Sequence, residues 1–318
     1  MVAGIQKLHS AINDEGGATI IRNHLKPRIN LVVMDEAHLA DNPSYLEVLN
    51  FLSDEEFNPD GGNGWKLLGL TATPFKSEEK RTKKLRSMFK EEFSITDGDR
   101  LKGIDKLRPW KWFQTNGYLS KHIEYQSISL DVAETYDFDP AEKRYYRQYK
   151  DIRSSVLAKL ALSEYRNKRI IDKLIDNINN EISRKVLLFA CSVAHCQILS
   201  QELFDVGIKN YSVIGTMSSS LRNMSVQGFK DTHDGPVVMI NYGILTTGFD
   251  DPKIDTVFIT RPTSSGVLYH QMIGRGLRGV KNGGNNDGRC TIMDVKDNFI
   301  EFSGLDIIRY DEELWREN

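Results

Sequence analysis

The chain has 318 residues, enough for two domains of ordinary size, with 40% hydrophobic and 27% charged residues and a formal net charge of −2. These values belong to a globular protein; they exclude a generally basic nucleic-acid coat but leave room for a local basic channel. No apolar run approaches a membrane span, and residues 1–7 lack a basic stretch leading into an apolar core, so neither membrane association nor a secretory leader is expected.

In chain order, residues 29–34 form a short apolar run ending in acids, and residues 65–70 a second one; such runs bounded by polar turns predict buried parallel strands. Residues 45–52 between them have helical spacing, and Asp60-Gly61-Gly62-Asn63-Gly64 is a loop. Residues 76–184 are charged and read as largely helical, a connection plus the entry helix of a second domain. From residue 185 onward, strands are predicted at 186–190, 211–214, 236–240, 256–259 and 290–294, with helices at 194–204, 221–229 and 267–277. This alternation predicts an α/β fold with mostly parallel sheets and helices on both faces. The expected division is 1–110, a helical connection 111–180, and 181–318.

Three cysteines, Cys191, Cys196 and Cys290, are too few for a disulfide framework and suit a reducing cytoplasm. Cys191, His195 and Cys196 sit close together, but a zinc site needs about four ligands and no second cluster exists, so core roles are expected.

Asp35-Glu36-Ala37-His38 directly follows a predicted buried strand, and ligands of open α/β sheets bind beyond the carboxyl ends of strands. Adjacent acids there can divide labour: Asp35 holding Mg²⁺, largely through water, and Glu36 orienting or deprotonating an attacking water. Thr71-Ala72-Thr73-Pro74 follows the next strand, and the hydroxyls of Thr71 and Thr73 can serve the acidic motif or its water; a plain strand-ending turn is the alternative.

With these motifs in order, the chain resembles the superfamily 2 helicases. Asp35-Glu36-Ala37-His38 is similar to helicase motif II and residues 70–74 to motif III. Gly243-Ile244-Leu245-Thr246-Thr247-Gly248-Phe249-Asp250 is similar to motif V, and Gln271-Met272-Ile273-Gly274-Arg275-Gly276-Leu277-Arg278 to motif VI. The flavour is that of the XPB-like and restriction-enzyme motor branch. The resemblance implies two RecA-like domains, ATP and Mg²⁺ as cofactors, and nucleic acid, DNA before RNA, as partner. It implies Arg278 as an arginine finger, Arg275 on the γ-phosphate or linking it to the acidic motif, and Gln271 in the same network; both arginines are expected on one face of a helix. It places His38, Gly248 and Asp250 with Thr71 and Thr73 at the nucleotide, Asp250 accepting from ribose or from a motif VI arginine. It places Thr246, Thr247, Ser192 and Thr216 along a nucleic-acid backbone, where contacts position without reading sequence, with ordinary turn chemistry the alternative for Ser192 and Thr216; Arg222 serves the same groove or is a surface charge. Many family members carry Glu where Thr247 stands.

No G-x-x-x-x-G-K-[ST] phosphate loop occurs in these residues. Residues 2–8 look like the segment that shortly precedes motif II in the family, so the first RecA-like domain is expected to be incomplete, its phosphate loop lying upstream or on a partner chain. Alternatively, the chain is a non-hydrolysing nucleic-acid-binding or regulatory module that keeps the motor fold.

Overall fold

The computed structural model describes residues 2–53, 56–59, 62–71, 79–89, 91, 109–131, 136–149, 151–243, 249–263, 265–285, 287–297 and 299. The chain divides into two compact units, Met1–Arg100 and Leu101–Asn318.

The first unit opens with α1 (Ile5–Ile12) and α2 (Glu15–Ile20), the latter capped by Asp14, whose carboxylate accepts from the Gly17 N–H at 2.9 Å. β1 (Leu31–Asp35), α3 (Pro43–Leu52) and β2 (Lys66–Leu70) follow, then α4 (Glu79–Arg86). Pro43 starts α3 at a position that needs no N–H. β1 and β2 pair in parallel from Leu31↔Lys66 to Asp35↔Leu70, so α3 is the crossover that a parallel pair requires. Met34 packs with Ile21, Val48, Leu49, Leu52 and Trp65, and the half-buried Val32 and Leu67 complete that face. On the opposite face Leu31, Val33, Leu68 and Leu70 are each about half-exposed.

The second unit begins with α5 (Pro109–Thr115) and β3 (His122–Ser129), then α6 (Pro140–Tyr149), α7 (Ser154–Ala161) and α8 (Glu164–Asn179). Thereafter strand and helix alternate: β4 (Lys185–Phe189), α9 (Val193–Asp205), β5 (Lys209–Val213), α10 (Ser219–Asp231), β6 (Val237–Asn241), β7 (Thr256–Ile259), α11 (Gly266–Ile273) and β8 (Arg289–Lys296). All six strands pair in parallel in the order β3-β8-β7-β4-β6-β5.

β4, β6 and β7 are buried along their whole lengths, which is why they read as continuous apolar runs. Successive residues face opposite cores. Leu187, Phe189, Met239 and Val257 point to a core with Phe229 of α10 and Tyr269, Met272 and Ile273 of α11. Val186, Leu188, Val238, Ile240 and Phe258 point to a core with Ile170, Ile171 and Leu174 of α8 and Cys196, Leu199 and Leu203 of α9. The α/β class with a parallel sheet and helices on both faces is therefore observed.

Two expectations need correction. Residues 76–184 are not simply helical: β3 lies within them as an edge strand on β8. Ile123 and Tyr125 face one core and Ile128 and Leu130 the other, with polar residues between, so β3 has neither a continuous apolar run nor a clean two-residue period. The helix expected over 267–277 stops at Ile273. Arg275 lies in a turn and Arg278 pairs as an antiparallel bridge with Leu119, so a shared helical face does not bring them together.

Candidate functional site

In the first unit the acidic motif sits at the carboxyl end of β1. Asp35 is its last residue, exposed, with Oδ1 accepting the Glu36 N–H at 2.9 Å. Glu36 adopts the left-handed conformation (φ 52°, ψ 47°), which costs a non-glycine residue about 1–2 kcal/mol. The turn sets its side chain beside His38, which is 4% exposed: His38 Nδ1 is 3.3 Å from Glu36 Oε2 and 3.1 Å from Thr71 Oγ1. His38 thus joins the end of β1 to the end of β2, neighbours in the sheet. The Tyr45 hydroxyl on α3 faces the same acids: burial raises its pKa, and the charges of Glu36 and Asp35 raise it further. Asp41, nearly buried, is paired with Arg81 at 3.2 Å. Thr73 lies outside the described residues.

An exposed carboxylate at a strand end fits Mg²⁺, which keeps several waters and needs only one or two protein carboxylates. Among the described residues no three His, Cys, Asp or Glu side chains form a denser metal cage.

In the second unit the two arginines are held by the chain of motif V. Arg275 Nη1 donates to the Phe249 carbonyl at 2.8 Å. Arg278 meets Asp250 through Nε at 2.7 Å and Nη2 at 2.6 Å. Asp250 is 65% exposed, so the pair contributes little and an anionic ligand can displace it at small cost. Gln271 lies half-buried in the last turn of α11. Thr246, Thr247 and Gly248 lie outside the described residues.

The Arg278 loop is braced by the segment after α5. The Ser120 N–H donates to the Leu277 carbonyl at 2.9 Å, and the Gly279 and Lys281 N–H groups donate to the Tyr118 and Gly117 carbonyls at 3.0 and 2.9 Å. A Cβ on Gly279 would lie 2.3 Å from the Gly117 carbonyl oxygen, and one on Gly284 2.0 Å from that of Arg278. Only glycine admits this approach.

Ser192 caps α9, its hydroxyl oxygen accepting the His195 N–H at 3.1 Å. Thr216 is exposed in the turn after β5. Arg222, in the first turn of α10, lies against the Met217 carbonyl at 3.5 Å.

Sequence reasoning passed over a buried network beneath these strand ends. Arg166 of α8 forms a two-point bridge to Asp297 after β8 (Nε to Oδ1 2.6 Å, Nη2 to Oδ2 2.9 Å) and donates to the Thr260 carbonyl at 2.5 Å. His195 Nδ1 accepts the Cys191 N–H at 3.0 Å, which leaves the ring proton on Nε2 for Asn167 Oδ1 at 2.9 Å. Burial pushes the Cys191 thiol up to about 11, so it is no nucleophile at neutral pH. The core roles expected for Cys191, His195 and Cys196 match their complete burial. The available signal was an arginine inside the apolar face of α8, at the spacing 166, 170, 174.

The six-stranded parallel sheet with helices on both faces is consistent with a RecA-like domain. Residues 168–280 match the helicase conserved C-terminal domain family. The chain is 28% identical over 250 residues to IRC3 of Saccharomyces cerevisiae, an inferred ATP-dependent helicase, covering 79% of this chain and 32% of that protein. It is 28% identical over 280 residues to the inferred mitochondrial ATP-dependent helicase irc3 of Schizosaccharomyces pombe (86% and 39%). It is 25% identical over 122 residues to the type I restriction enzyme EcoKI endonuclease subunit of Escherichia coli (35% and 10%). Residues 168–280 thus match a helicase C-terminal domain, and the chain is similar to inferred ATP-dependent helicases. It spans less than half the length of these relatives. Among the described residues no helix is long and apolar enough to cross a membrane.

Proposed function

We propose that the chain is part of an ATP-dependent helicase or translocase motor acting on nucleic acid, DNA before RNA, in a reducing cytoplasm. Residues 1–110 would supply part of the ATP-binding domain and 181–318 the C-terminal motor domain. The observation that carries the proposal is the acidic strand end, where a left-handed Glu36, a buried His38 and Thr71 connect the ends of two paired strands. Backbone strain kept at such a place is a mark of function.

Glu36 orients and deprotonates the attacking water, and Asp35 holds the metal through its exposed carboxylate. Arg275 and Arg278 stabilise charge on the transferred phosphoryl group, with Gln271 beside them and Asp250 as the resting partner of Arg278. Mg²⁺, which Asp35 would hold, would offset negative charge on the phosphates. Ser192, Thr216, Arg222, Thr246 and Thr247 would follow the nucleic-acid backbone, holding it through phosphates. The motor would act together with a phosphate cradle, supplied by the same polypeptide or a partner. The half-exposed apolar face of the β1–β2 pair supports further elements there, since parallel sheets are covered on both faces.

The test is ATP hydrolysis with and without single- and double-stranded DNA, by the chain alone and joined to a phosphate-loop segment, beside Glu36→Gln. DNA-stimulated hydrolysis that Glu36→Gln abolishes is the expected result; full activity in Glu36→Gln would sink the proposal. The second reading, a binding module without catalysis, predicts salt-dependent nucleic-acid binding indifferent to ATP.

A further inference from the structure

At the carboxyl end of the six-stranded sheet, β4 lies between β7 and β6. The chain leaving β6 places Tyr242 there, and the chain leaving β7 places Arg261. The Arg261 guanidinium carbon sits 5.6 Å from the Tyr242 ring centroid, so the two side chains meet across the end of β4. The place is anchored from below: Cys191, just after β4, donates its thiol proton to the Thr260 carbonyl at 3.1 Å, one residue before Arg261.

Arg261 is half-buried, and its Nε is shut from solvent with no hydrogen-bond partner. Among the described residues it makes no ion pair. Asp297, the acid at the end of β8, has both oxygens taken by Arg166. A partly buried guanidinium without an anion is costly unless a ligand supplies one. The Tyr242 ring makes a cation–π contact with the guanidinium, whose planar set of donors suits a phosphate. Hydroxyls stand at the neighbouring strand ends, Ser192 after β4 and the exposed Thr216 after β5. Ser192 uses its oxygen as a helix cap, which leaves its hydroxyl proton to donate.

We propose that Arg261, in cation–π contact with Tyr242, is a phosphate-binding site for the backbone of the bound nucleic acid, beside the hydroxyls of Ser192 and Thr216. The site deepens the functional reading above and rests on its claim that the chain binds nucleic acid. Tyr242 is a positioning residue: it holds the guanidinium through that contact.

The experiment is fluorescence anisotropy of a labelled oligothymidylate titrated with the chain and its variants across a salt series, with circular dichroism to establish folding. Arg261→Ala is expected to weaken binding roughly tenfold, the scale of a charge-assisted hydrogen bond, and to reduce the slope of log affinity against log salt by about one. Arg261→Lys keeps the charge but not the fork and falls between. Tyr242→Phe binds as the parent chain does, and Tyr242→Leu approaches Arg261→Ala. If Arg261→Ala does not fold, Arg261→Lys and Tyr242→Leu carry the test. Parent-like affinity and slope in the folded Arg261 variants overturns the site and leaves the proposed function standing; no binding by the parent chain overturns both. Displacement by inorganic phosphate that depends on Arg261, and that chloride at equal ionic strength does not produce, assigns the site to free phosphate and overturns the backbone proposal.

Discussion

His195 should make the second unit sensitive to mild acid. Its ring is fully buried, accepts the Cys191 N–H through Nδ1 and reaches Asn167 through Nε2, an arrangement that admits only the neutral tautomer. Burial, with the charge of Arg166 adding to it, lowers its pKa to about 3 from an ordinary 6.5. The unfolded chain therefore binds a proton that the folded chain refuses. The stability this contributes is fully present above pH 6.5 and is lost as pH falls from 6.5 toward 3. Between pH 7 and pH 5 the loss from this one group is about 2 kcal/mol. His195→Gln keeps a carbonyl to accept the Cys191 N–H but cannot titrate. In urea unfolding followed by circular dichroism, the variant should be less stable than the parent at pH 7, and the gap should shrink by that amount at pH 5. A gap that stays constant across the range refutes the assignment.

Three further outcomes are expected. Arg166→Met leaves the Asp297 carboxylate, 2% exposed, without its partner and should cost about 3–5 kcal/mol in urea unfolding, much of it recovered by adding Asp297→Leu. Gly284→Ala forces a methyl group to 2.0 Å from the Arg278 carbonyl oxygen, so the loop must move; thermal unfolding should show a loss of about 1–3 kcal/mol, and protease should cut faster within residues 276–284. His38→Ala breaks the link between Glu36 and Thr71. In a complete, hydrolysing motor it should lower kcat at least ~10-fold with little change in KM, since it touches the water-activating acid and not the bulk of the nucleotide.

The sequence by itself determined the parallel α/β class, because β4, β6 and β7 are buried on both faces and are apolar but for one terminal residue each, Lys185, Asn241 and Thr256. It also located the acidic strand end and the arginine motif, since their residue types and spacing survive without knowledge of the fold. Tertiary structure alone decided the rest. β3 escapes a sequence reading because an edge strand serving two cores shows no single period. α11 ends at Ile273, Arg278 beyond it bridges Leu119, far away in the chain, and the arginines take partners, Phe249 and Asp250, that helix geometry did not suggest. Arg166 and Asp297 stand 131 residues apart, and Tyr242 and Arg261 meet across the end of β4, which lies between their strands. Local periodicity reports which face of an element is buried; it carries no record of which distant side chain fills the space opposite.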